Sequence, residues 1–230
     1  MKKLITMSFL LAMTFCILSL RAQVQIGLLG GAQFSDVAID PKYSGEETSN
    51  KTGLIIGGIL SYNFTPILGI QFEPAYIQKG AAFNIKETMA TEIGDLMVEA
   101  EGNIVADYID LPVFLKASLN AGELKPYVLA GLSVGFLLGD AKMKIEKIMI
   151  NGEDLTEMVP SDEREEKLDT KSTEFVFNVG AGLMIPVGKV SIIVEGQYNL
   201  GLTDINDDSE DDTTIKTKGF QAKAGILFAL

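Results

Sequence analysis

Two long alternating apolar runs, joined at Pro186-Val187-Gly188-Lys189, occupy the stretch TEFVFNVGAGLMIPVGKVSIIVEGQYNL from Thr173 to Leu200. In the first arm Phe175, Phe177, Val179, Ala181, Leu183 and Ile185 share a face, while Glu174, Asn178, Gly180 and Gly182 take the other. In the second arm Val190, Ile192, Val194, Tyr198 and Leu200 oppose Ser191, Glu195, Gln197 and Asn199. The pattern predicts a β-hairpin with one face apolar over its whole length. Strands of soluble sheets are usually about 5–6 residues long, whereas a tilted strand that crosses a bilayer needs about 9–11. The length therefore favours a membrane.

The N-terminus supports export. Lys2 and Lys3 precede an apolar run from Leu4 to Leu20, and Arg21-Ala22 then leads to Gln23. That order of charged, apolar and small residues predicts a secretory signal over residues 1–22, cleaved after Ala22. As a permanent membrane helix the run is short. Cys16, the single cysteine, follows the bulky Phe15, where a lipid-attachment signal needs a small residue, so it is expected to leave with the signal. The mature chain, residues 23–230, then has no cysteine to form disulfides or to ligate metal. Removing residues 1–22 discards three basic residues and no acidic ones, so 16 Lys+Arg face 31 Asp+Glu, a formal charge of −15. Such a charge argues against a nucleic-acid partner. No apolar run long enough for a transmembrane helix follows the signal. A mature membrane protein of this kind can only be a closed β-barrel, because each backbone N–H and C=O must be paired within the lipid.

Period-two segments bounded by turn residues number eight: Val24–Asp36, Thr52–Phe64, Ile67–Lys79, Asn103–Leu119, Lys125–Leu138, Thr173–Ile185, Lys189–Leu200 and Ile215–Leu230. The expected fold is all-β, an eight-stranded antiparallel transmembrane barrel of up-and-down topology forming one domain. Connections alternate in length. Tight turns fall at Asn63–Pro66, Asn120–Leu124 and Pro186–Gly188; long ones cover 37–51, 80–102, 139–172 and 202–214. This is the asymmetry of short periplasmic turns and long extracellular loops. Charge follows it: the four long connections hold 24 of the 31 acidic residues and 9 of the 16 mature basic ones. Strands and tight turns are thus formally neutral. The longest loop is expected to extend as a hairpin through Lys142-Met143-Lys144-Ile145, and a short amphipathic helix is expected around Lys86–Ala100.

Leu54, Ile56, Leu60, Tyr62 and Phe64, with Ile70, Phe72 and Tyr76, and with Phe220, Ile226, Phe228 and Leu230, are expected to face lipid. Tyr62, Phe64, Tyr198 and Phe228, and Phe83 and Phe175 at the other end, would form aromatic girdles. The opposite faces carry Gln71, Glu73, Asp110, Lys116, Asn178, Glu195, Gln197, Gln221 and Lys223. The interior of an eight-stranded barrel is just wide enough for side chains to fill. Charges there must pair, so Glu73, Asp110 and Glu195 against Lys116 and Lys223 form an expected internal network with Gln197. Its role is either a structural plug or a gate along a narrow polar path. Pro112 and Pro74 remove ladder donors inside strands, and a β-bulge is the simplest accommodation of Pro112.

Tyr108-Ile109-Asp110-Leu111-Pro112, then Lys125-Pro126-Tyr127-Val128-Leu129-Ala130-Gly131, then Gly180-Ala181-Gly182 through Gln197-Tyr198-Asn199-Leu200-Gly201-Leu202, resemble in order and spacing the PorT-type outer-membrane β-barrel family of Bacteroidetes-like bacteria. The resemblance spans nearly all of the mature chain and implies a barrel in the cell outer membrane. Members often carry arginine before the tyrosine of the seventh strand, where this chain has Gln197, a departure that removes the usual internal partner of Glu195. The family implies a fold and a location more than a task.

Enzymes built on small barrels resemble one another in relying on histidine, and this chain has none. A Ser-His-Asp type of site is thereby excluded, and no catalytic residue or cofactor is expected. Carboxylate pairs that would suit a glycosidase are accounted for as solvated loop surface. The run from Asp204 to Asp212 supplies weak metal candidates in Asp207, Asp208, Asp211 and Asp212, in an oxygen-rich loop of the kind that suits Ca²⁺ or Mg²⁺. The leading expectation is a non-enzymatic outer-membrane anchor or interaction protein with acidic extracellular loops. Its expected partners are outer-membrane lipids, lipopolysaccharide bridged by divalent cations, and an envelope protein. A narrow pore for small solutes is the alternative, and cation or ligand binding by the loops the second.

Overall fold

Each period-two segment of the sequence forms a strand, and neighbouring strands pair antiparallel around a ring. The computed structural model describes residues 23–41, 46–91, 94–119, 124–207 and 213–230; the expected signal segment 1–22 lies outside them. Twelve strands occur among the described residues. They are β1 (Gln23–Asp40), β2 (Glu46–Asn63), β3 (Leu68–Phe72), β4 (Ala75–Thr91), β5 (Gly94–Ser118) and β6 (Lys125–Leu137). The second half adds β7 (Ala141–Ile150), β8 (Glu153–Asp154), β9 (Glu165–Leu168), β10 (Thr173–Val187), β11 (Val190–Gly201) and β12 (Thr214–Ala229).

The ring runs β1, β2, β3 with β4, β5, β6, β10, β11 and β12, and it closes because β12 pairs with β1 from Gln25↔Ala229 to Asp40↔Thr214. β3 and β4 are two parts of one staff, so the ring counts eight staves. Closure leaves no edge in the ring, which lets every backbone group be paired without water. Two tight turns follow from local chemistry. The hydroxyl oxygen of Thr65 accepts from the backbone N–H groups of Ile67 and Leu68, at 3.2 and 2.8 Å. Between β10 and β11 the two-residue loop starts at Gly188 with φ of +64°, a conformation glycine adopts freely.

Neither proline produces a bulge. β3 ends at Phe72, paired with Val113, and β4 begins at Ala75, paired with Asp110, so the register across the break is unchanged. Glu73 N–H donates to the Pro112 carbonyl at 3.2 Å, and Gly58 N–H donates to the Pro74 carbonyl at 2.9 Å. Each proline therefore loses only the bond in which its own nitrogen would donate. Setting the two side by side confines the ladder defect to one place.

The expected helix around Lys86–Ala100 is absent. That segment forms the arms of a β-hairpin in which β4 and β5 pair without a register shift from Ala75↔Asp110 to Thr91↔Gly94. Pairing on both sides decides the outcome over helix propensity: β5 takes β7 along Val98–Val105, and β4 takes the start of β2 along Ala81–Ile85. The longest loop extends as a hairpin, as its Lys142–Ile145 pattern predicts, with β9 added on Ala141–Lys144. β7 then turns into β8 through Asn151 and Gly152, both at positive φ (50° and 85°), the requirement of a type I′ turn. The result is a sheet standing beyond the ring at its long-loop end.

The outside of the ring is apolar. Leu28 is 72% exposed and Leu115 69%, and Leu54, Ile56, Leu60, Ile70, Phe175, Phe177, Val179, Leu183, Val194, Phe220, Ile226 and Phe228 are exposed with them. Soluble monomers rarely expose apolar patches beyond a few hundred Å²; here the surface continues around the ring. Along β5 and the residue that follows it, the apolar outer positions run from Ile109 to Leu119. Ten steps of about 3.3 Å, tilted by about 40°, give a height of about 25 Å, which matches the apolar band of an outer-membrane barrel.

Candidate functional site

Because successive side chains alternate across the ring, the inward set is fixed by parity. Seven charged side chains are buried among the described residues: Glu73, Asp110, Glu174 and Glu195, with Lys79, Lys116 and Lys223. Toward the short-turn end Ile59, Met184, Ile193 and Leu227 belong to one buried cluster with Ile55, Phe114 and Leu129, accompanied by the buried polar side chains of Gln25, Ser61 and Ser191.

Above that layer lies the main network. The Gln71 amide donates to Glu73 Oε1 at 2.5 Å and to Glu195 Oε1 at 2.9 Å. The Gln197 amide donates to Glu73 Oε2 at 3.3 Å and Glu195 Oε2 at 3.1 Å. Lys223 donates to Glu73 Oε2 and lies 3.6 Å from Glu195 Oε2. Lys116 donates to Gln71 Oε1 at 2.8 Å and sits 4.4 Å from the ring centroid of Tyr127. The Tyr127 hydroxyl donates to Glu195 Oε1 at 2.6 Å. Two glutamines thus tie two carboxylates together; Lys223 meets both carboxylates directly, and Lys116 reaches them through Gln71. Besides Gln197, Glu195 has a cationic neighbour on the next strand, since Lys223 stands directly opposite it in the β11–β12 ladder.

Tyr127 has room only because Gly182 has no side chain. A Cβ there would lie 2.5 Å from a carbon of the Tyr127 ring and 2.6 Å from its hydroxyl oxygen.

Toward the loops, Asn178 donates to Ser133 Oγ at 3.1 Å and Asn199 donates to Asn178 Oδ1. Asp110 is buried beside them, and its Oδ1 has no hydrogen-bond partner among the described residues. The structure therefore brings Glu73, Lys116, Glu195, Gln197 and Lys223 into one bonded group and leaves Asp110 at its margin. A second buried pair closes the loop side: Lys79 and Glu174 are bonded, Thr217 donates to Glu174 Oε2 at 3.0 Å, and Lys79 lies 4.9 Å from the Tyr108 ring centroid.

Lys79, Glu174, Tyr108, Tyr127 and Thr217 are not in the network expected from sequence. Parity alone places most of them inside: Lys79 shares a face with Glu73 along the third stave, Glu174 with Asn178, Tyr108 with Asp110, and Thr217 with Gln221 and Lys223. Of the metal candidates, Asp207 is exposed and its N–H donates to the Asp169 carbonyl at 3.3 Å, while Asp208, Asp211 and Asp212 lie outside the described residues. No group of three or more metal-ligating side chains gathers among the described residues. Chemically, the interior holds its charges in place against one another.

At the long-loop end a strap formed by residues 170–171 and 204–206 continues the β10–β11 pairing beyond the strands. Thr170 and Asn206 form a bridge, Lys171 N–H donates to the Ile205 carbonyl at 2.9 Å, and Lys171 pairs with Asp204 at 3.3 Å. Asp204 Oδ1 in turn accepts from the N–H groups of Ile215 and Asn206, at 2.8 and 3.1 Å.

Among solved structures, OprG of Pseudomonas aeruginosa is 12% identical, with 91% of this chain and 95% of that one covered and a TM-score of 0.47. Neisserial surface protein A is 12% identical over 89% of this chain and 97% of that one, with a TM-score of 0.45. Ail, the attachment invasion locus protein of Yersinia pestis, is 14% identical over 89% and 98%, at 0.37. No curated protein sequence gives a significant match. The model of the family described as outer membrane protein beta-barrel domain matches residues 19–207, which carry every stave of the ring but β12. The chain belongs to that family and is an integral β-barrel of the outer membrane.

Proposed function

We propose that this barrel is a non-enzymatic anchor that holds an acidic interaction surface outside the membrane. The observation that carries the proposal is the filled interior. A mainly apolar layer that includes Gln25, Ser61 and Ser191, the Glu73–Glu195–Lys223 network and the Lys79–Glu174 pair succeed one another along the axis, each made of buried side chains. An open conduit would need a water-filled path through all three. The absence of histidine supports the non-enzymatic reading, since the common small-barrel hydrolases need that side chain.

The β4–β5–β7–β9 sheet and the strap then form the outward-facing surface, and the acidic long connections give it its charge. Its partners in this reading are an envelope protein and lipopolysaccharide bridged through divalent cations, the latter drawing on Asp207, Asp208, Asp211 and Asp212. The PorT-type likeness belongs to the same proposal and rests on the order of the Tyr108–Pro112, Lys125–Gly131 and Gly180–Leu202 motifs.

Planar-bilayer recording of the purified full chain tests the central claim. The expected result is an unaltered baseline; sustained single-channel steps would overturn the anchor reading in favour of a narrow pore. Cross-linking of intact envelopes followed by purification tests the partner, and recovery of the barrel with lipid alone argues against a protein partner.

A further inference from the structure

Between the Lys79–Glu174 pair and the strap lies a cavity of about 350 Å³. That is within the range of small-molecule sites, roughly 300–1,000 Å³. Its apolar lining comes from Val37, Ile104, Ala106 and Ile215, with Leu168 and Ile205 on the loop side, where Glu166, Asp169 and Asn206 also line it. Its floor is polar and electrically balanced: the Lys79 ammonium is spent on Glu174, and the Thr217 hydroxyl donates to the same carboxylate. Tyr108 also lines it, 1% exposed, with a hydroxyl that has no hydrogen-bond partner among the described residues.

Three features make this a built site. The loop-side lining is tied down by the Thr170–Asn206 bridge and the Lys171–Asp204 pair, so the space does not depend on a loose loop. An unpartnered buried hydroxyl costs free energy that a ligand oxygen would recover. The buried part of the wall offers no unpaired charge: Lys79 is spent on Glu174 and Asp36 is held by Lys218 at 3.1 Å, while Lys167 pairs with Asp140 and the carboxylates of Glu166 and Asp169 are exposed and solvated at the loop-side rim, so a charge buried in the cavity would go uncompensated.

We propose that this vestibule binds an uncharged, largely apolar small molecule carrying one hydrogen-bonding oxygen, with the Tyr108 hydroxyl as its polar contact. The site is independent of whether the lumen below conducts.

Benzophenone, a neutral aromatic ketone that cross-links to nearby C–H bonds under near-ultraviolet light, is a suitable probe. The purified full chain in detergent is irradiated with increasing probe, and labelled peptides are mapped by mass spectrometry. Saturable labelling of Ile104–Tyr108 and of peptides bearing Val37 or Ile215 is expected. Ala106→Trp, which fills the cavity, should cut that labelling about tenfold while the compact unboiled gel band persists. Ala141→Leu is a smaller filling variant in case Ala106→Trp does not fold. Tyr108→Phe should raise the half-saturating concentration about fivefold, the worth of one hydrogen bond. Labelling that never saturates, spreads over lipid-facing residues such as Leu54 and Phe220, and ignores the filling variants would overturn the site. Saturable labelling indifferent to Tyr108→Phe would overturn the polar contact. Neither outcome bears on the conductance result, so the two proposals fail separately.

Discussion

Replacing Lys223 by methionine tests how the interior is held together. The ammonium is 3% exposed, and the two carboxylates it serves, Glu73 and Glu195, are 1% and 0% exposed. Methionine keeps most of the length and removes the charge. At the 3.6 Å separation from Glu195 and an effective dielectric constant of about 20, one charge pair is worth about 4–5 kcal/mol. Removing one member of a buried pair generally costs about 3–5 kcal/mol, because the other charge stays buried without compensation. Lys116 does not replace it, since it is anchored on Gln71 Oε1 and over the Tyr127 ring rather than on either carboxylate. We therefore expect Lys223→Met to lose about 3–5 kcal/mol, and Lys223→Met with Glu73→Gln to recover at least half of that. The chain has no tryptophan, so the assay is the folded fraction against urea, read from the compact unboiled band. A loss below about 1 kcal/mol would refute the pairing argument. A double variant no more stable than the single one would refute the coupling.

Three further outcomes follow from the geometry. Gly182→Val should cost about 1–3 kcal/mol by driving the Tyr127 ring aside, and Tyr127→Leu in the same chain should relieve most of it; additive losses in the urea assay would refute the slot. Leu115→Arg places a charge on the lipid face, 69% exposed at mid-stave, and should cost about 2–4 kcal/mol in lipid vesicles, whereas a neutral outcome would mean that this face is not in the bilayer. Outside the membrane, hydrogen bonds from Lys142 and Lys144 hold the Glu165 carboxyl below the usual glutamate range. That depressed value means the β7–β9 clip is fully present above the ordinary glutamate pKa and is lost as pH falls through the lowered one. A carbon NMR titration should find the Glu165 midpoint low and Lys142→Ala should raise it; a midpoint at the free value would refute the clip.

The ring was legible in the sequence because a lipid-crossing strand must alternate for its full length, and its lipid face admits few exceptions. Leu54, Ile56 and Leu60 show this on β2, as do Phe175 to Ile185 on β10. What hid the lower interior is that some inward positions are apolar too: Ile55 beside Ile56, and Ile193 beside Ile192, make a run with no readable face. Lys79 and Glu174 escaped for another reason. They meet across the interior from staves 95 residues apart, and no local pattern encodes that meeting. The Lys86–Ala100 segment was misread because its structure is imposed by the neighbours β2 and β7 rather than by its own residues. The Asn151-Gly152 turn, by contrast, carried a signal available from sequence alone.

The β1–β12 ladder joins residues about two hundred positions apart, from Gln25↔Ala229 onward. Its loop-closure cost is met at once or not at all, and contacts of such separation slow folding. Until β12 arrives, any partly assembled ring carries two open strand edges, each a template for pairing with another chain. The seam thus sets an order of events for assembly. The chain must be kept from its neighbours between export and closure, and the rate at which β12 finds β1 decides how long that protection has to last.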